Sequence, residues 1–121
     1  MLNFSTGRRI FVAKGTVDMR KSFDSLSRLV RERLGHDPYS GDVFVFFGKD
    51  RNRVKVLVWD VSGYWVCAKR LESGTFAVRG HVGGRDEPGV GEVSAAQLLM
   101  ILEGIDAREV VMHRQYRRQA G

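Results

Sequence analysis

The run Val54-Lys55-Val56-Leu57-Val58-Trp59-Asp60-Val61-Ser62-Gly63-Tyr64-Trp65-Val66-Cys67-Ala68-Lys69-Arg70 decides the fold. Its halves, Val54 to Asp60 and Tyr64 to Arg70, are dense in the β-branched and aromatic residues that suit a pleated, half-buried surface. Ser62-Gly63 breaks the run between them, so the pattern is a β-hairpin. A type I turn followed by glycine in the left-handed position would make a three-residue loop. That register pairs Asp60 with Tyr64, Trp59 with Trp65, Leu57 with Cys67 and Lys55 with Lys69. Two tryptophans and two opposed lysines then share one face, and like charges so placed disfavour pairing unless something anionic lies near. Because side chains alternate, a slip of one residue would undo this pattern.

Working outward, Val43 to Phe47 and Thr75 to Val78 read as further strands of the same meander. Arg9 to Ala13 is a short strand closed by Lys14-Gly15. Between them Met19, Phe23, Leu26, Val30 and Leu34 recur at helical spacing, predicting a helix that starts at Asp18 or Ser22 and ends before Gly35. His36 to Asp42 holds Pro38 and Gly41 and is a turn-rich connection. Gly80 to Gly91, with five glycines and Pro88, reads as a mobile loop. Ser94 and Gln97 form a capping box for a second helix over Ala95 to about Glu103. The expectation is an α+β domain: an antiparallel β-meander of four to five strands, with two helices packed mainly on one face. It covers residues 1–107, and 108–121 form a basic, flexible tail.

Size and composition fit one soluble domain. The chain has 121 residues, 43% hydrophobic and 28% charged, which is ordinary for a globular protein. No apolar run approaches the roughly 20 residues of a membrane span, and the first residues do not resemble a secretory signal. A cytoplasmic location without membrane contact follows as an expectation. Cys67 is the lone cysteine, so no internal disulfide forms, and no Cys/His set has zinc spacing. No cofactor is implied.

The net charge of +6 is unevenly distributed. Residues 1–58 hold twelve basic and six acidic side chains, residues 59–106 four and seven, and residues 107–121 four and one. Such asymmetry points to a surface that attracts a polyanion. Arg20, Lys21, Arg28 and Arg31 fall on the helix face opposite the apolar stripe, where they could follow a phosphate backbone; the plain alternative is a solvated surface in which Asp24 pairs with Arg20 and Arg28. Lys49, Arg51, Arg53 and Lys55, offset only by Asp50, form a second basic run, and Lys69 and Arg70 join it across the hairpin. Trp59, Trp65, Phe44 and Phe46 would suit base stacking if exposed, but as strand aromatics they read first as core. Asp18, Asp60, Glu72 and Glu103 are the carboxylates a metal-dependent nuclease would need. Each has a cap or turn role close to hand, and Cys67 has no histidine partner in view, so a non-enzyme is expected.

The chain also resembles the TnpB accessory protein family of the IS-sixty-six insertion sequences, bacterial transposable elements. The resemblance rests on Asp18-Met19-Arg20-Lys21 with Phe23-Asp24 and Leu26, on Val43-Phe44-Val45-Phe46, and on Lys55, Leu57, Trp59-Asp60 and Gly63. Lys69-Arg70-Leu71-Glu72, Gly74, Phe76, Gln97-Leu98 and Leu102-Glu103-Gly104-Ile105-Asp106 extend it from about Arg9 to Arg108. Two positions depart from the family pattern: no Trp-Pro pair follows Phe76, and Ala107 stands where a tryptophan is common. The resemblance implies an accessory role in DNA transposition and recombination beside a separate transposase and other proteins of the same element. It supplies no catalytic residues. Joined to the charge layout, it gives the expectation of a non-catalytic factor that binds DNA at the element ends. The alternative is an adaptor that docks on the transposase or another element-encoded protein without touching DNA. A homo-oligomer would be reached through an open strand edge, for which Arg9 to Ala13 is one candidate.

Overall fold

The computed structural model describes residues 7–78 and 89–103. Seven elements follow one another: β1 (Ile10–Thr16), α1 (Phe23–Glu32), β2 (Val43–Phe47), β3 (Arg53–Asp60), β4 (Gly63–Arg70), β5 (Val90–Val93) and α2 (Ala95–Leu102). The strands form one sheet in the order β4-β3-β2-β1-β5. The α+β class is as expected, but β1 and β2 run parallel, with Ile10 beside Val43 and Val12 beside Val45. A parallel pair needs a long crossover, and α1 supplies it.

Strand β2 is Val-Phe-Val-Phe-Phe, buried along its whole length, as a central strand covered on both faces must be. Its alternate residues therefore demand two covers. Leu26, Leu29 and Val30 of α1 pack with Phe11, Phe44, Phe46 and Leu57 on one face. Leu98 and Ile101 of α2 pack with Ile10, Val12, Val43, Val45 and Val58 on the other. The helices thus sit on opposite faces, not mainly on one, because β1, β2 and β3 are apolar on both. Each fully buried aliphatic side chain contributes about 1.5–3 kcal/mol.

The helix starts follow the local chemistry. The Ser22 N–H donates to Ser25 Oγ at 3.0 Å at the head of α1. At the head of α2 the Gln97 N–H donates to Ser94 Oγ (3.1 Å) and the Ser94 N–H to Gln97 Oε1 (2.8 Å), the expected capping box. The stripe of α1 differs in detail: Met19 precedes the helix and Phe23 is exposed, while Leu29 takes an inward place.

Three strand expectations are corrected. Strand β1 is not closed at Lys14-Gly15; it continues to Thr16 through a bulge at which Gly15 adopts φ 87°, a conformation that glycine adopts at little cost. It is also paired on both sides, so its edge is not open. Thr75 to Val78 is not a strand. Phe76 and Val78 instead bury their side chains against the α2-side core, and the Phe76 N–H donates to the Arg51 carbonyl at 2.7 Å. The fifth strand is Val90–Val93, antiparallel to β1 with Val93 beside Ile10 and Gly91 beside Val12. It takes up the end of the expected glycine-rich loop, whose residues 80–88 lie outside the described residues, as does the 108–121 tail.

The hairpin register is also one residue tighter. Asp60 pairs with Gly63, Trp59 with Tyr64, Val56 with Cys67, Lys55 with Ala68 and Arg53 with Arg70. The loop is Val61-Ser62 alone, and Val61 rather than Gly63 takes the left-handed conformation, at φ 45°. Strand β3 is apolar on both faces, so its pattern does not fix the register, and the turn does. The tryptophans and the lysines consequently separate: Trp59 and Lys55 face α1, Trp65 and Lys69 face the α2 side.

Candidate nucleic-acid interface

The basic side chains gather where α1 begins, and an acid organises that corner. The Asp18 carboxylate accepts the Arg20 N–H at 2.9 Å and the Arg20 guanidinium through both oxygens, at 3.1 and 2.8 Å. These hydrogen bonds, side chain first and backbone second, hold the Asp18 pKa down at about 2. The pair ties the turn Asp18–Lys21, where the Lys21 N–H returns to the Asp18 carbonyl at 3.1 Å. Arg20 is therefore fixed by Asp18, not by Asp24 along a helix.

Lys55 joins this corner to the sheet: its Nζ donates to the Lys21 carbonyl at 2.6 Å. Two shallow grooves flank the junction. One, of 490 Å³, runs beside Arg53, Lys55, Arg70 and Glu72; the other, of 460 Å³, beside Arg20, Lys49 and Arg53 with Asp18 and Asp50. Met19 and Arg53 line both. Gly48 makes room for Met19, since a Cβ there would lie 2.7 Å from Met19 Cγ.

The like-charge pair expected at Lys55 and Lys69 is instead Arg53 opposite Arg70. Arg70 has Glu72 at 3.3 Å; Arg53 makes no ion pair among the described residues. Arg20, Arg53, Lys55 and Arg70 thus form one surface, where the sequence suggested two, and Lys21 contributes its carbonyl as the tie. Lys69 projects to the other face and donates to the Leu102 carbonyl at the end of α2, at 3.3 Å. Arg51 belongs to the β2–β3 turn at φ 56° and anchors it through its backbone. Arg28 is exposed on α1, and Arg31 reaches the far end, its guanidinium 6.0 Å from the centre of the Tyr39 ring.

At that far end Tyr39, Trp59 and Tyr64 meet, with ring centres 5.0, 5.0 and 5.7 Å apart. The Tyr64 hydroxyl is buried without a well-formed hydrogen bond, and burial is the first cause of its raised pKa. Of the four aromatics singled out for stacking, Phe44 and Phe46 are core, Trp59 is half-buried, and Trp65 is 59% exposed with its indole N–H 3.3 Å from Asp60 Oδ2. Tyr39, 52% exposed, was hidden by its place in a turn segment without periodicity. Asp18 and Glu72 are tied to arginines and Asp60 lies 3.7 Å from Arg8. No group of three or more potential metal ligands comes together among the described residues, and no helix there is long and apolar enough to cross a membrane.

These features define a small basic α+β protein with a two-faced sheet, at one end of which Arg20, Arg53, Lys55 and Arg70 lie together. The family model described as IS66 Orf2 like protein matches residues 8–112, and the chain belongs to that family. It is accordingly an accessory protein associated with transposition of a bacterial insertion sequence. Among its relatives, the uncharacterized protein y4hO of Sinorhizobium fredii is 38% identical over 108 residues, 89% of this chain and 90% of the relative. The uncharacterized protein y4jC of the same organism is 45% identical over 76 residues, 63% of this chain and 65% of that relative. No solved structure matches.

Proposed function

We propose that the protein is a non-catalytic DNA-binding factor that works beside the element's transposase. The observation that carries this reading is the direct opposition of Arg53 and Arg70 in the β3–β4 ladder, with Lys55 and Arg20 alongside. Opposed like charges weaken a strand pair, and a phosphate seated between them relieves that repulsion. Arg53 and Lys55 make no ion pair among the described residues, whereas Arg20 and Arg70 already hold Asp18 and Glu72. Neutralising two to four phosphates releases counterions, so the logarithm of the duplex binding constant should fall with the logarithm of salt at a slope of about −2 to −4.

Fluorescence anisotropy with labelled element-end duplex, an unrelated duplex and single-stranded DNA across a salt series tests this. Arg70→Glu should lower affinity about tenfold or more and flatten the slope, while stability holds or rises because Arg53 gains an opposite charge. No binding to any of the three at low salt overturns the proposal. A transposase complex that then survives nuclease treatment but is lost in Arg70→Glu would make the basic end a protein-docking surface.

A further inference from the structure

The surface around Tyr39 has a chemistry of its own. Trp59 and Tyr64 are fixed by the hairpin, and Tyr39 lies against both with half of its surface open. A hollow of 410 Å³ adjoins Tyr39 and Trp59 and is also bordered by Arg8, Asp42 and Asp60. Its one cation is already committed: Arg8 donates to the Gly41 carbonyl at 2.6 Å and the Trp59 carbonyl at 3.3 Å, and lies 3.7 Å from Asp60. Two carboxylates beside a satisfied arginine repel a phosphate. Aromatic walls with spare acceptors suit a flat ring that carries amino donors.

The cations lie elsewhere on the same side. Arg53, Lys55, Leu57 and Trp59 alternate onto the α1 face of β3, as do Tyr64, Val66, Ala68 and Arg70 on β4. From Arg70 to Tyr64 is about 20 Å at the ~3.3 Å rise of a strand. Arg31 overhangs the aromatic end of this path. The middle of this side is filled, Leu57 being buried under α1. A polyanion joining the two ends therefore crosses the outer face of α1, past its exposed Arg28 and Arg31, to reach the open Tyr39 ring.

Resting on the DNA-binding reading, we infer that the ligand is unpaired nucleic acid, one base of which stacks on Tyr39 beside Trp59 while its phosphates run past Arg31 towards Arg53 and Arg70. A duplex keeps its base faces stacked inside, so it offers Tyr39 nothing; an unpaired strand offers a face at every nucleotide.

The experiment compares the full-length protein's affinity, at one low salt concentration, for three labelled probes of equal length: a mixed-sequence single strand, the same strand with abasic sites throughout, and a duplex. The intact strand should bind about tenfold more tightly than the abasic one, as one stacked base provides. Tyr39→Ala should remove that difference and leave duplex affinity unchanged; Tyr39→Phe should restore it. Circular dichroism of each variant establishes that it is folded, and the comparison of intact with abasic strand in the unaltered protein needs no variant at all. Equal binding of the two strands overturns the inference, as does a base preference that persists in Tyr39→Ala. If abasic strand and duplex bind without a base preference, the DNA-binding reading stands and this inference alone falls. If none of the probes binds, both fall.

Discussion

On the α1 side of the sheet, the core of Phe11, Phe44, Phe46 and Leu57 is bordered by Arg53, Lys55 and Arg70 at one end and by Trp59 and Tyr64 at the other. On the α2 side, the core of Val43, Val45, Val56 and Val58 borders Trp65 and Lys69, and Lys69 is engaged with the end of a helix. The covers differ in kind too: α1 is amphipathic with a charged outer face, whereas α2 reads Ala-Ala-Gln-Leu-Leu-Met-Ile-Leu. One face is therefore filled, and the other is filled in the middle and open at both ends. Strand parity alone assigns each hairpin side chain to one role or the other.

The largest effect that would sharpen this contrast is expected from Leu98→Ala. Leu98 is 0% exposed, and truncating such a residue costs about 2–5 kcal/mol. The urea midpoint should fall accordingly, with an unchanged dependence on denaturant. Leu99→Ala one residue on, at a site 55% exposed, should stay within about 0.5 kcal/mol. A similar loss at both would mean that the outer side of α2 is covered as well.

A smaller effect separates two neighbours in sequence. Lys69→Ala removes a cation at a helix C-terminus and should cost about 0.3–1 kcal/mol of stability. Its DNA affinity should stay near that of the unaltered protein, unlike Arg70→Glu. An affinity loss in Lys69→Ala equal to that in Arg70→Glu would break the division between the faces.

The smallest effect concerns acid. The Asp18 pKa is depressed in the folded state, so its pairing with Arg20 contributes fully above the ordinary carboxylate range and is lost as pH falls towards about 2. Melting temperatures of the protein and of Asp18→Asn should therefore differ most above pH ~4 and converge below it. A difference that stays constant down to the lowest pH would show that the carboxylate's charge is not what holds the corner.

Much of the fold was legible where a local signal matched its tertiary use. Ser94 and Gln97 cap α2 as their spacing predicts, and Leu26 and Val30 turn inward as the helical period predicts. Strand β5 was not legible, because two of the residues in Gly89-Val90-Gly91-Glu92-Val93 are glycines and nothing local favours a strand; pairing with β1 imposes it. The hairpin register was hidden because a strand apolar on both faces fits either parity, and Val61 is a poor advertisement for a left-handed turn. The cations were legible as residue types, but that slip of one residue moved Lys69 off their surface and set Arg53 against Arg70. Tyr39 gave no signal at all, since its aromatic cluster is completed by Trp59 and Tyr64, which join it only in three dimensions.

The pairing of β1 with β5 also bears on how the protein is made. Val93, the partner of Ile10, is synthesised more than 80 residues after it. At roughly 5–20 residues per second, residues 48–93 take about 2–9 seconds, during which β1 has β2 on one side and its other edge unclaimed. Such an edge invites pairing with any neighbouring chain. The nascent protein is thus most vulnerable to aggregation during the interval between the emergence of β2 and that of β5, and translation speed through residues 48–93 sets how long that interval lasts.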